Sequence, residues 1–122
     1  MALSACQQVD KVDIAEVLDA RNDAVSSKNI TAYGALLIND YHFQKHTKSD
    51  ILYAMQEIFE RFQVIQMQTH NRHIDVLDET HAICNQSYTF KVKADNEWRS
   101  IVQQEQLQLT KQNDAWKISS GL

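Results

Sequence analysis

The chain has no proline, and only two of its 122 residues are glycine, Gly34 and Gly121. Glycines this far apart cannot build the loops that cradle nucleotide phosphates, which excludes ATP-dependent and NAD-dependent readings. Turns must instead be closed by Asp, Asn and Ser, whose side chains hydrogen-bond to nearby backbone. Cysteine is equally scarce. Cys6 and Cys84 make neither a metal cluster nor a redox motif. Cys84 lies in a strand-like apolar pattern and reads as a small buried residue in a reducing compartment rather than a reactive thiol. No apolar run approaches the roughly 20 residues of a membrane span. Basic residues are outnumbered 16 to 12 by acidic ones, giving a net charge of −4. Neither nucleic-acid binding nor membrane insertion is therefore expected.

What remains is an ordinary globular composition, 43% apolar and 23% charged, in a chain of one-domain length (1–122). "LSAC" (Leu3 to Cys6) has the form of a lipoprotein-processing box, but only five residues precede the cysteine. An export signal needs a basic start and an apolar stretch of about 7–15 residues. As written, the chain is expected in the cytoplasm; with a start farther upstream it becomes a periplasmic lipoprotein anchored at Cys6. Residues 1–8 read as a loose extension.

The first half has helical period. Ile14, Val17, Leu18, Arg21, Ala24 and Val25 form one stripe. Asn29 is the N-cap expected for a second helix carrying Ile30, Tyr33, Leu36 and Leu37. "YHFQ" (Tyr41 to Gln44) reads as a short extended piece. Ser49 is the cap expected for a third helix with Ile51, Met55, Ile58, Phe59 and Phe62 on its stripe.

From Val64 the period becomes two, predicting strands Val64–Leu77, His81–Lys93, Glu97–Thr110 and Ala115–Ser119 joined by "DET", "ADN" and "KQND". In the second strand Ala82, Cys84, Gln86, Tyr88, Phe90 and Val92 share a face; in the third, Ile101, Gln103, Glu105, Leu107 and Leu109 do. The apolar parity of the first strand switches between Met67 and Ile74, so one extra residue near His70–His73 is expected, a β-bulge. Three helices and a curved antiparallel sheet must bury one sheet face against the helices, an α+β cone with a hollow between the layers.

The order helix, helix, "NDYHF", helix, long hairpins and "LQLTKQNDAWKI" resembles the nuclear transport factor 2-like superfamily, particularly its SnoaL-like and ketosteroid-isomerase-like bacterial branches. "AVSSKN" between the first two helices and "DETHAI" before the second long strand carry the same resemblance, which covers Val9 to Ser119. It implies a cystatin-like cone, a pocket between the concave sheet face and the helices, and homodimers formed through the outer sheet face. Ketosteroid-isomerase-like members place an acidic base on the first short strand. The matching position here is Lys45, and a protonated lysine cannot take a proton. Steroid-isomerase chemistry is thus not implied.

Two charged residues break the inward stripes, Arg21 and Glu105. Burying either alone is costly, so they are expected to pair, either as a core-edge tie or as pocket groups. In the pocket Arg21 would hold an anionic ligand group and Glu105 would act as acceptor or base, with Tyr88 as a hydroxyl donor; Glu105 and Tyr88 are the candidate catalytic residues. Gln86 and Gln103 add polar tips to the same face, and Phe43 and Phe59 complete the candidate pocket. No cofactor is implied. His42 and His46, or His70 and His73, lack the third and fourth ligands a zinc site needs, so no metal site is expected. The outward residues Gln66, Gln68, Asn85, Ser87, Thr89, Gln104, Gln106 and Gln108 are polar but uncharged, which suits sheet-on-sheet pairing of two copies. The expected function is binding of a small apolar or anionic ligand. The alternatives are an acid–base enzyme of cyclase, dehydratase or isomerase type, or an interaction domain whose cone is filled by Phe43, Phe59 and Phe62.

Overall fold

The computed structural model describes residues 5–122, so Leu3 and Ser4 of the lipoprotein-like box lie outside the described residues. The elements run α1 (Ala5–Ser26), α2 (Ile30–Ala35), β1 (His42–Phe43), β2 (His46–Thr47), α3 (Lys48–Arg61), β3 (Val64–Val76), β4 (His81–Ala94), β5 (Glu97–Gln112) and β6 (Ala115–Ser120). Residues 5–8, expected to be loose, are the first turn of α1. No helix among the described residues is long and apolar enough to cross a membrane.

With almost no glycine, left-handed backbone is supplied mainly by Asn and Asp. Asp95–Asn96 and Asn113–Asp114 have positive φ at both positions, as two-residue type I′ hairpins require. They close β4–β5 and β5–β6. The β3–β4 turn is closed by Asp78, whose Oδ1 accepts the Thr80 N–H at 2.8 Å. Lys28 (φ 56) ends α1, and its Nζ reaches the carbonyls of Phe62 and Gln63, tying the α1–α2 turn to the end of α3.

Asn29 caps α2 by accepting from Ala32 N. The third helix is capped by Thr47, not Ser49. Thr47 and Asp50 form a reciprocal capping box, and two donors satisfied at once outweigh the single bond Ser49 could offer. The expected extended piece at Tyr41–Gln44 is one arm of a two-stranded hairpin, turned at Gln44 (φ 57), with His46–Thr47 as the other arm.

The main sheet is antiparallel in the order β3-β4-β5-β6. Its β3–β4 register shifts between His70 and His73, with Asn71 left-handed at φ 57. That bulge restores inward parity, so Ile65, Met67 and Thr69 are followed on the same face by Arg72, Ile74 and Val76. The core lies between α1 (Ile14, Leu18, Val25) and the sheet (Ile65, Cys84, Leu107, Leu109, Ile118). Trp116 and Ile118 are buried. Trp116 donates its indole N–H to Asp10 Oδ1 at 3.1 Å, and Ile118 exchanges backbone bonds with Leu36 and Ile38. The last strand therefore locks the sheet to both α1 and the segment after α2.

Candidate functional site

Between the helices and the concave sheet face lies an open cavity of about 770 Å³. Helix periodicity builds one wall from Ile51, Ala54, Met55 and Ile58 of α3. Strand alternation builds the other from Met67, Phe90 and Ile101, and Val25 and Phe43 fill the gaps between. Gly121 and Leu122 complete the rim, held where the Leu122 N–H donates to the Tyr41 hydroxyl at 2.8 Å.

Into this apolar chamber α1 and β5 bring one ion pair. Arg21 is only 1% exposed. Its two terminal nitrogens face Glu105 in parallel, Nη1 to Oε1 at 3.2 Å and Nη2 to Oε2 at 2.5 Å. Gln86 donates to Glu105 Oε2 at 2.7 Å. Three of roughly four acceptor positions on a carboxylate are thereby filled. Behind Gln86 stands Arg72, which the sequence reading overlooked. It donates to Gln86 Oε1 at 2.9 Å and to Thr69 Oγ1 at 2.8 Å, and pairs with Asp19 at 3.0 Å. The signal was available: an arginine one place past a bulge must follow the restored inward parity. Accepting from Arg72 on one side and donating to Glu105 on the other, Gln86 has its amide orientation fixed.

Of the residues expected around the pocket, Arg21, Phe43, Tyr88, Gln103 and Glu105 line it. Gln86 and Phe59 do not. Gln86 is a buried support behind Glu105, and Phe59 packs in the core because it faces inward across α3. Tyr88 donates to Gln103 Oε1 at 2.9 Å, and burial, then the Glu105 charge, raises its pKa. Tyr33, expected only as part of a helical stripe, is a wall residue; it is 3% exposed, and burial pushes its pKa up to about 12. Cys84 lies sealed in the core, its thiol pushed up to about 11 by burial, which removes it as a nucleophile.

No histidine reaches the cavity. His42 and His46 lie exposed on the β1–β2 hairpin, with Lys45 exposed at its turn. The bulge places His70 and His73 together on the outer sheet face, opposite Ser87 and Asn85. His81 is exposed beside Asp78. Among the described residues no group of three His, Cys, Asp or Glu side chains converges. Ser120 ends β6 without touching the cavity; its two successors do.

A SnoaL-like domain model matches residues 14–121, which is most of the chain. The protein belongs to the SnoaL-like family. No curated protein matches it in sequence. A candidate scytalone dehydratase from Novosphingobium aromaticivorans superposes with a TM-score of 0.85 at 14% identity, over 98% of this chain and 85% of the other. A candidate dehydratase of the NTF2-like family from Streptomyces avermitilis gives 0.81 at 11%, over 93% and 94%. A conserved protein from Planctomyces limnophilus gives 0.84 at 16%, over 93% and 94%. At these identities the likeness establishes the fold and leaves the chemistry to the site.

Proposed function

We propose that the protein binds a neutral, largely apolar small molecule in the cavity between the helices and the sheet. The observation that carries this reading is that Arg21 and Glu105, the only charged side chains on the wall among the described residues, cancel each other inside an open, mostly apolar chamber. Such a site rewards burial of a hydrocarbon frame and gives an anion nothing, because the arginine is already neutralised. The cavity is open rather than filled by Phe43, Phe59 and Phe62, which argues against a purely structural cone. Acid–base catalysis is less well supported: no histidine stands on the wall, and most acceptor positions of Glu105 are taken.

Copies of the chain pair through the outer sheet face in this reading, where Gln66, Gln68, Gln104, Gln106 and Gln108 offer polar groups without charge. Size-exclusion chromatography with light scattering giving a monomer mass would remove the dimer while leaving the pocket untouched.

The pocket is tested by calorimetric titration with naphthalene and with 2-naphthoate. Naphthalene binds and naphthoate binds at least tenfold more weakly. Met55→Trp, which fills the chamber from α3, abolishes naphthalene binding without lowering the melting temperature. Unchanged binding by that variant overturns the assignment.

A further inference from the structure

The tyrosines in and beside the cavity wall are not equivalent. Tyr41 shares its hydroxyl with Leu122, donating to its carbonyl at 3.3 Å and accepting its N–H at 2.8 Å. Tyr88 donates to Gln103. Tyr33, more deeply buried than Tyr88, also lines the cavity, and its hydroxyl makes none of the side-chain hydrogen bonds that hold the other two. A hydroxyl on a cavity wall that no protein group engages is open to a ligand.

The position is built rather than accidental. Asn29 starts α2 and Leu36 ends it, which fixes the turn carrying Tyr33. Gly34 beside it admits Leu52 of α3, whose Cδ1 would sit 3.3 Å from a Cβ at that position. Tyr33 thus lines the cavity from a turn packed closely on α3, within the field of the Arg21–Glu105 pair. Neither partner of that pair engages it: Arg21 offers only donors, and the oxygens of Glu105 accept from Arg21 and Gln86. Of the two buried polar atoms without a partner among the described residues, Arg21 Nε and Asn22 Oδ1, only the first belongs to a residue of the cavity wall, and it is a donor. At the wall the surplus is of donors, and what is missing is an acceptor.

Resting on the small-molecule reading above, we infer that the Tyr33 hydroxyl is the anchoring donor of this site and that its ligand presents a carbonyl oxygen at one end of an apolar frame. The raised pKa of Tyr33 keeps the phenol protonated, and so a donor, throughout the physiological range. A carbonyl fits better than a hydroxyl because it brings an acceptor without another donor.

Three probes of matched size test this by calorimetry: 2-acetylnaphthalene, its oxygen-free isostere 2-ethylnaphthalene, and 2-naphthoate. The wild-type protein prefers the ketone to the isostere by roughly three- to tenfold, the worth of one net hydrogen bond. Tyr33→Phe erases that preference and leaves 2-ethylnaphthalene affinity unchanged, which also shows that the variant is folded and the cavity intact. Equal wild-type affinity for ketone and isostere, or a preference that survives in Tyr33→Phe, overturns the inference while the cavity assignment stands. Failure of both neutral probes to bind removes the cavity assignment and this inference with it. Tightest binding by naphthoate overturns both the neutral-ligand reading and the donor role.

Discussion

Arg21 and Glu105 stand 84 positions apart in sequence and meet at 2.5 Å between Nη2 and Oε2, joining α1 to β5 across the cavity. Neither group has water to fall back on: their side chains are 2% and 10% exposed. The pair therefore belongs to the class in which removing one partner is far worse than removing both. Glu105→Leu alone, which strands the guanidinium, lowers unfolding stability by about 3–5 kcal/mol. Arg21→Met combined with Glu105→Leu recovers most of that loss. Urea denaturation of the wild type, both single variants and the double variant measures the coupling; additive losses would show the pair to be independent.

The bulge that turns Arg72 inward depends on Asn71 in the left-handed region at φ 57. A β-branched side chain there clashes with its own backbone, whereas glycine adopts the same angles freely. Asn71→Val costs about 1–2 kcal/mol, and Asn71→Gly leaves stability nearly unchanged. Equal effects of the two substitutions in urea unfolding would rule out the bulge geometry.

The sheet was legible because β-structure writes its faces into the sequence at period two. The break in that period between Met67 and Ile74 was enough to locate the bulge. The hairpins were legible because Asp-Asn and Asn-Asp are the residues that tolerate left-handed backbone when glycine is missing. The Arg21–Glu105 pair was legible from cost alone, since two opposite charges on inward stripes have few other resolutions. The helix cap at Thr47 was not, because Ser49 offers the same hydroxyl and only the reciprocal bond with Asp50 decides between them. Arg72 could have been read from the restored parity past the bulge, but Tyr33 was hidden for another reason. A tyrosine on a helical stripe looks ordinary until tertiary packing shows which groups around it are already engaged.

Tyr33 also sets an alkaline limit on stability. Its pKa rises from 10.0 to about 12 in the fold because burial opposes the phenolate. Between those values the unfolded chain gives up this proton while the native chain keeps it, so the contribution of Tyr33 to stability is intact below about pH 10 and is lost as pH rises from about 10 to 12. The two-unit shift corresponds to a loss on the order of 3 kcal/mol. Urea midpoints across this range fall less steeply for Tyr33→Phe than for the wild type. Identical slopes would mean that Tyr33 ionises alike in both states.

Gly121 is the one glycine whose backbone conformation, φ +104, an ordinary side chain resists. A Cβ there would lie 2.2 Å from Gln106 O and 3.0 Å from Leu107 Cα, both of them backbone atoms of β5 that cannot step aside. Gly121→Ala must therefore push the rim segment away from β5, at about 2–3 kcal/mol. Because Gly121 and Leu122 line the cavity, the same displacement opens its wall and weakens naphthalene binding. Tyr41→Phe removes the hydroxyl that holds Leu122 without any clash, so its cost is smaller, about 1 kcal/mol. Thermal unfolding and naphthalene titration of both variants separate the effects. If Gly121→Ala unfolds at the wild-type temperature, the tight passage of the rim along β5 is wrong. If it loses stability but binds naphthalene normally, the rim is not part of the binding wall.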